Sequence, residues 1–196
     1  MENKNYEPRH LETLDRDLGR LSGVNHATSY FGHPLTNIGI SLIFIILAGL
    51  VAMVLFDNTA NILIVIIASG LGAYMALNIG ANDVANNMGP AVGANALSMG
   101  GAIAIAAIFE SAGALIAGGD VVSTVAKGII APENMRTTAI FIFAMLSALL
   151  SAALWVNLAT WVGAPVSTTH SVVGGVMGAG IAAAGFAAVN WPTMYK

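Results

Sequence analysis

Long apolar stretches separated by short polar clusters make up the chain from residue 36 onward. About 20 consecutive apolar residues are enough to cross the hydrocarbon layer of a membrane as a helix. The pattern therefore predicts five spans, which cover residues 36–56, 62–80, 93–117, 137–162 and 168–189. We expect an all-α, polytopic membrane protein in which residues 36–196 form one transmembrane bundle.

Two segments break this apolar pattern. The second span runs directly into a polar, glycine-rich block at residues 80–90, GANDVANNMGP. Glycine and proline disfavour a helix interior, so we predict that this helix breaks or ends inside the bilayer near residue 80. Residues 119–130 are too short to cross a membrane and too apolar for an ordinary loop. We predict a re-entrant segment there, since irregular backbone at that depth must be buried in protein or line a wet cavity.

The first 35 residues are polar and hold more than half of the charged residues of the chain. Leu11, Leu14, Leu18 and Leu21 follow the spacing of one helix face, which predicts a short amphipathic helix at the membrane surface. Over the whole chain, 57% of residues are apolar and 9% are charged. That is too little charge to solvate the surface of a soluble domain of this length.

Composition also excludes several functions. The chain has no cysteine, so it has no disulfide framework and no thiolate metal site. It lacks the basic patch that nucleic-acid binding requires. The sequence shows neither paired carboxylates nor a metal cluster, and Ser167 with His170 is only a weak Ser/His pair. We therefore expect no enzyme, and any ligand must be held by oxygen and amide groups.

The block at residues 80–90 places Asp83 among the amides of Asn82, Asn86 and Asn87. A carboxylate in an apolar span costs several kcal/mol, so such a residue indicates an ion or substrate site. Carboxylate and amide oxygens suit a hard cation such as Na⁺, and the carboxylate can also take a proton. Glu110 lies in mid-span without a basic partner in its own helix, and the same cost indicates a function for it.

A second polar cluster follows Pro165, a residue that suits the first turn of a helix. Ser167, Thr168 and Thr169 should then lie near a helix N-terminus, where unpaired N–H groups and the helix dipole favour a tetrahedral oxyanion. Ser123 and Thr124 form a third polar cluster. Interrupted helices that hold an anionic substrate beside a coupling cation are typical of secondary transporters.

Four motifs resemble, in order and approximate spacing, the N-terminal half of inorganic phosphate transporters of the PiT type. They are GANDVANNMGP at residues 80–90, FESAGA at 109–114, PVSTTH at 165–170 and VNW at 189–191. The resemblance covers residues 62–196, and the asparagine-aspartate block is its most specific part. Residues 1–61 match only loosely, as a variable extension and an extra helix.

The resemblance implies symport of phosphate with Na⁺ or H⁺ and no other cofactor. The family is built from two inverted repeats, and each has an asparagine-aspartate block and a Ser/Thr-rich re-entrant segment. Phosphate and cations bind between the two repeats. Matched by motif, the cation-binding or coupling residues are Asn82, Asp83, Asn86, Asn87 and Glu110, with a possible Na⁺ at Asn82 and Asp83. The matched phosphate ligands are Ser123, Thr124, Ser167, Thr168 and Thr169.

This chain contains one asparagine-aspartate block, whereas the family has two. Three arrangements would supply the second repeat: a longer chain of which this is a fragment, a partner chain, or a homodimer with oppositely inserted copies. We favour the fragment, and expect 196 residues alone to bind phosphate weakly and not to transport it. We expect a multi-pass protein of a cell membrane, the inner membrane of a bacterium. The alternatives are a permease for another oxyanion such as sulfate, and a structural or regulatory membrane subunit.

Overall fold

A computed structural model describes residues 35–195 of the chain, apart from the side chains of residues 126 and 127. The chain divides into two compact units, residues 1–44 and 45–196. Of the first unit, the described part is the beginning of helix α1, Leu35–Leu55. The amphipathic helix predicted between residues 11 and 21 lies outside the described residues.

The second unit is helical. After the end of α1 come α2 (Ile62–Gly93), α3 (Met99–Ser123), α4 (Thr138–Trp161), α5 (Thr168–Ala184) and the short α6 (Trp191–Met194). A π-helical turn at Thr124–Gly128 and two 3₁₀ turns, Pro132–Asn134 and Phe186–Ala188, complete the regular structure of residues 45–195.

Four helices in residues 35–195 are long and apolar enough to cross a membrane, and they are α1 to α4. Helix α5 has 17 residues, so it is shorter than the predicted span at 168–189. The fold class is confirmed: the chain is an all-α, multi-pass membrane protein.

Hydroxyl side chains set the beginnings of three helices. Each caps its helix by accepting a hydrogen bond from the backbone N–H three residues further on, namely Ser98 for α3, Thr137 for α4 and Ser167 for α5. Such caps satisfy one of the backbone donors that a helix start leaves unpaired. The Ser and Thr residues of these loops therefore explain where the helices begin.

Helix α4 ends at a glycine that reverses the chain. Gly163 has a φ of 71°, which glycine adopts without strain. Its N–H donates to the carbonyl of Thr160 at 3.1 Å, and the N–H of Ala164 donates to the carbonyl of Ala159 at 2.8 Å. This is a Schellman motif, and it leads into an extended connection to α5. We call residues 162–167 the linker.

Helix α4 packs against both α5 and α2, and its buried positions are mainly alanines. On the α2 side, Ala152, Ala153 and Val156 bury against Met75. On the α5 side, an added Cβ on Gly175 would lie 2.8 Å from the carbonyl oxygen of Ala148. The α4–α5 contact is therefore so close that it requires glycine at residue 175.

The segment after the π-helical turn is fixed to the C-terminal part of the chain. The N–H of Asn190 donates to the carbonyl of Ile129 at 2.9 Å, and Ile130 forms a β-bridge with Val189. Ile130 is fully buried, and its side chain occupies the space that a Cβ on Gly180 would need. These contacts hold the α3–α4 connection beside α5.

The prediction of a helix break near residue 80 is wrong, because α2 continues without interruption to Gly93. Within the block, Asn86 Nδ2 donates to Asn82 Oδ1 at 2.8 Å, one turn back along the same helix. The amides thus bond to each other and to other elements, and do not compete for the backbone of α2. Pro90 lies inside α2, three residues before its end, and removes one helical bond, the one that its N–H would make to the carbonyl of Asn86.

The segment predicted as re-entrant, 119–130, also differs in part. Residues up to Ser123 belong to α3, and the next five form the π-helical turn Thr124–Gly128. Irregular backbone therefore begins only near Ile129. Single π-helical turns of this kind are frequent at functional sites.

Candidate functional site

The site lies where α2 meets the end of α4 and the linker. Asn78, Asn82 and Asn86 are spaced by four residues, so they lie on one face of α2. Asn78 contacts α4 through Asn157, and Asn82 contacts it through Thr160. Residue numbers on the two helices rise together, so α2 and α4 run in the same direction.

Asn82 connects α2 to α4 and to the linker. Its Nδ2 donates to Thr160 Oγ1 at 3.1 Å and to the carbonyl of Ala164 at 3.5 Å. Its Oδ1 accepts from Asn86 Nδ2 at 2.8 Å and from the N–H of Val166 at 3.5 Å. The two bonds of 3.5 Å to the linker are long and therefore weak, so Thr160 and Asn86 are the main partners of this buried side chain.

Asn86 uses only the donors of its side-chain amide. Its Nδ2 group donates to Asn82 Oδ1 and, at 3.3 Å, to the carbonyl of Val166. Its Oδ1 accepts no hydrogen bond from any group that the structure describes. Asn86 therefore holds the linker through its donors and leaves an amide oxygen available for a cation.

Asp83 connects α2 to the beginning of α5. The Thr168 hydroxyl donates to Asp83 Oδ2 at 2.7 Å, although the two residues are 85 positions apart in the sequence. Thr168 is 5% exposed, and Asp83 is half-buried. Within the described residues this bond is the one polar contact of the carboxylate, so its other lone pairs are available.

The first turn of α5 presents donors beside this contact. Ser167 accepts a hydrogen bond from the N–H of His170 at 3.3 Å, and its hydroxyl lies 2.7 Å from His170 Nδ1. The N–H groups of Thr168 and Thr169 find no acceptor in residues 35–195. Thr169 is exposed. The helix start thus offers two backbone donors and a free hydroxyl next to the carboxylate.

A cavity of about 290 Å³ lies between the asparagine face of α2 and the linker. Asn82, Asn86, Thr160 and Pro165 are among the residues that line it. A water molecule takes about 30 Å³ of liquid volume, so the cavity can hold an ion with several waters. No group of three or more His, Asp or Glu side chains occurs within the described residues, and Asp83 is not among the residues that line this cavity, so an ion inside it would meet neutral oxygens.

The remaining predicted residues fall in two places. Thr124 and Thr169 line a second cavity of about 390 Å³ together with Asp120 and Thr193. Asn87, Glu110 and Ser123 are exposed, and their side chains form no hydrogen bond within the part of the chain that the structure describes. The structure thus gathers Asn82, Asp83, Asn86 and Thr168 closely, whereas Asn87, Glu110 and Ser123 make no contact with them there.

Sequence reasoning missed three polar residues of this network: Asn78, Asn157 and Thr160. Asn157 Nδ2 donates to Asn78 Oδ1 at 2.9 Å, and Asn78 is 5% exposed. A signal was present for one of them, because Asn78 precedes Asn82 by one helical turn. Asn157 and Thr160 lie in an apolar helix and gave no pattern of their own.

Comparison with known proteins gives a consistent result. A family model described as "Phosphate transporter family" matches residues 79–196. A protein of Helicobacter pylori named "Putative phosphate permease" is 58% identical over 154 residues, which are 79% of this chain and 29% of the relative. A relative from Mycobacterium bovis with the same description is 50% identical over 124 residues, or 63% of this chain and 22% of the relative.

A solved structure described as "The sodium-dependent phosphate transporter" is also similar. It is 48% identical, with a TM-score of 0.64, and the match covers 67% of this chain and 33% of that one. The present chain therefore spans about a third of that transporter and less than a third of the two curated relatives.

Proposed function

Because the chain belongs to the phosphate transporter family, we propose that it supplies one repeat of a transporter that moves inorganic phosphate across a membrane by symport with Na⁺ or H⁺. The family is one of transporters and not of enzymes, as the sequence predicted. The observation that carries the proposal is the hydrogen bond between Thr168 and Asp83. It joins a group suited to a cation with a helix start suited to an anion.

The cation binds at Asp83 and Asn86. Asp83 brings a negative charge and free lone pairs, and Asn86 Oδ1 is a second free oxygen on the same turn of α2. Hard cations such as Na⁺ favour oxygen ligands of this kind. Asn82 already accepts a hydrogen bond from Asn86 through Oδ1, so in this proposal it contributes less to the cation and mainly connects α2 to α4 and the linker. Asn87 and Glu110 would act in the complete transporter, facing parts that lie outside this chain.

Phosphate binds at the start of α5. The N–H groups of Thr168 and Thr169 are unpaired within residues 35–195, and the hydroxyls of Ser167 and Thr169 lie on the exposed side of the same turn. A helix N-terminus with free donors stabilises an oxyanion. Thr124 shares a cavity with Thr169 and, with Ser123, extends this surface.

The two ligands stabilise each other through their charges. A cation beside Asp83 offsets the negative charge that would otherwise repel phosphate at the neighbouring helix start. Repeats that rock around such a shared site expose it alternately to the two sides of the membrane. The second repeat lies in the same chain, a partner chain or a second copy of this one. We place the assembly in a bacterial inner membrane.

Uptake by the native assembly, purified and reconstituted into lipid vesicles, tests this function. We expect radiolabelled phosphate to accumulate when an inward Na⁺ or H⁺ gradient is imposed, and sulfate in excess not to compete. Competition by sulfate would favour a general oxyanion permease. Absence of uptake under every gradient would favour a structural or regulatory subunit. The 196-residue chain alone should bind phosphate weakly and show no uptake.

Substitution of Thr168 tests the coupling between the two sites. Thr168→Val removes the hydroxyl that bonds Asp83 and keeps a similar shape. Hydrogen bonds to charged groups contribute about 1.5–3 kcal/mol, so the factor by which saturating cation raises phosphate affinity should fall about 10-fold or more. Thr168→Ser keeps the hydroxyl and should keep the coupling. Equal coupling in the two variants would remove this bond from the mechanism.

A further inference from the structure

The Asn78–Asn157 pair belongs to neither proposed ligand site, and its position in the fold is informative. Asn78 is buried, whereas Asn157 is exposed. Asn78 lies five residues before Asp83 on α2, and Asn157 lies in the last turns of α4, just before the linker. Their bond is 2.9 Å long and joins the two helices directly. Asn78 also donates to the carbonyl of Tyr74 at 2.9 Å, so its amide is held on both sides.

Apolar packing between α2 and α4 specifies their axial position poorly. The buried residues of α4 at this contact are Ala152, Ala153 and Val156. Alanine presents a single methyl group, so the α4 side of this contact has few features that would hold Met75 of α2 at one height. Lipid tails are as apolar as the side chains, so hydrophobicity does not favour one register over another.

Directional hydrogen bonds do distinguish these registers. Asn78 meets Asn157, and one turn further along Asn82 meets Thr160. A slip of one turn, about 5.4 Å along a helix, would separate Asn78 from Asn157 in either direction. Because Asn82 and Asn86 follow Asn78 at intervals of four residues, a slip in one direction would bring Asn82 to Asn157, but it would leave the buried Asn78 without a partner on α4 and move Asn86 away from the Val166 carbonyl. A buried asparagine that fixes the register of packed helices has a precedent in coiled coils.

We infer that Asn78 and Asn157 are positioning residues that fix the axial register of α2 on α4 and so hold Asp83 opposite Thr168. The fixed register is independent of the proposed function, and only the role of the Asp83–Thr168 contact in transport rests on it. The same register brings Asn82 and Asn86 to the carbonyls of the linker, at residues 164 and 166. A slipped α2 would carry the carboxylate one turn away from the start of α5.

Disulfide formation between introduced cysteines measures the register, because the chain has no cysteine of its own. The native register is reported by Asp83→Cys with Thr168→Cys, whose parent side chains touch. Slipped registers are reported by Ile79→Cys or Asn87→Cys, one turn to either side, each with Thr168→Cys. In the otherwise unchanged chain, crosslinking should be fast for the native pair and slow for the other two.

Asn78→Leu or Asn157→Leu should lower the ratio of native to slipped crosslinking about three- to twenty-fold, the range expected from the strength of interhelical hydrogen bonds in membranes. The double variant Asn78→Leu/Asn157→Leu leaves no unpaired amide, so it should be as stable as the parent and yet show the same slip. The control is Asn61→Leu, which removes an exposed asparagine just before α2 whose side chain makes no capping bond.

An unchanged crosslinking ratio in the folded double variant would overturn the inference. This outcome does not depend on transport, because the crosslinks report geometry alone. Conversely, an assembly that takes up no phosphate while its register shifts as expected would refute the proposed function and leave the positioning role intact.

Discussion

Asp83→Asn should lower cation-coupled phosphate uptake by at least about 100-fold, the upper range for loss of an outer-shell partner at a metal site. The substitution keeps an oxygen that can accept the Thr168 hydrogen bond and removes the negative charge. A monovalent cation at a site with one carboxylate depends on that charge. The measurement is initial uptake by vesicles that contain equal amounts of inserted protein.

The matched control for this experiment is Asp57→Asn. Asp57 is exposed in the turn between α1 and α2, where it accepts a hydrogen bond from Asn58 at 2.7 Å. The same change of charge there should leave uptake within about twofold, since exposed charge pairs contribute little. Full activity of Asp83→Asn would remove Asp83 from the mechanism, whereas equal losses in both variants would indicate a general effect of charge.

Gly175→Ala should destabilise the folded chain by about 1–3 kcal/mol, as overpacking of a close contact does. The new methyl group would lie 2.8 Å from the carbonyl oxygen of Ala148 and 3.4 Å from the Cβ of Ala152. Since backbone cannot move aside as a side chain can, α5 must move away from α4. Thermal unfolding in detergent should show a midpoint lower by about 2–10 °C.

Gly174→Ala is the control for this substitution, because it makes the same chemical change at the next residue. An added Cβ on Gly174 meets nothing within 4 Å in the described residues. Alanine is favoured over glycine in a helix by about 0.8–1 kcal/mol, so Gly174→Ala should be neutral or stabilising. Equal midpoints for the two variants would show that the α4–α5 contact is looser than described.

Local pattern was sufficient to predict much of this protein. The apolar runs indicated the spanning helices, and the Pro165 to Ser167 sequence indicated the start of α5, where Ser167 is the cap. One polar cluster suited a cation and the other an anion, which indicated that Asp83 and the Ser/Thr turn belong together. The structure places Thr168 in contact with Asp83. That contact spans 85 positions, so it was an inference from chemistry and not from spacing.

Tertiary partners account for what the sequence did not predict. The polar block of α2 remains helical because its amides find acceptors on α4 and the linker, and no local rule shows such acceptors. Asn82 is a predicted cation ligand because of its residue type. Only the tertiary structure shows that its amide also bonds to Thr160 and Asn86. The Asn78–Asn157 bond likewise depends on which helix packs beside α2.

The common direction of α2 and α4 means that α3 and the segment after it return the chain from the end of α2 to the beginning of α4. The two helices nevertheless end at different heights. Asn82 and Asn86 bond to the linker at residues 164 and 166, whereas α2 continues to Gly93, about 10–16 Å further at 1.5 Å per residue. In a membrane that α2 crosses, the start of α5 would therefore lie at that depth below the surface that the end of α2 reaches.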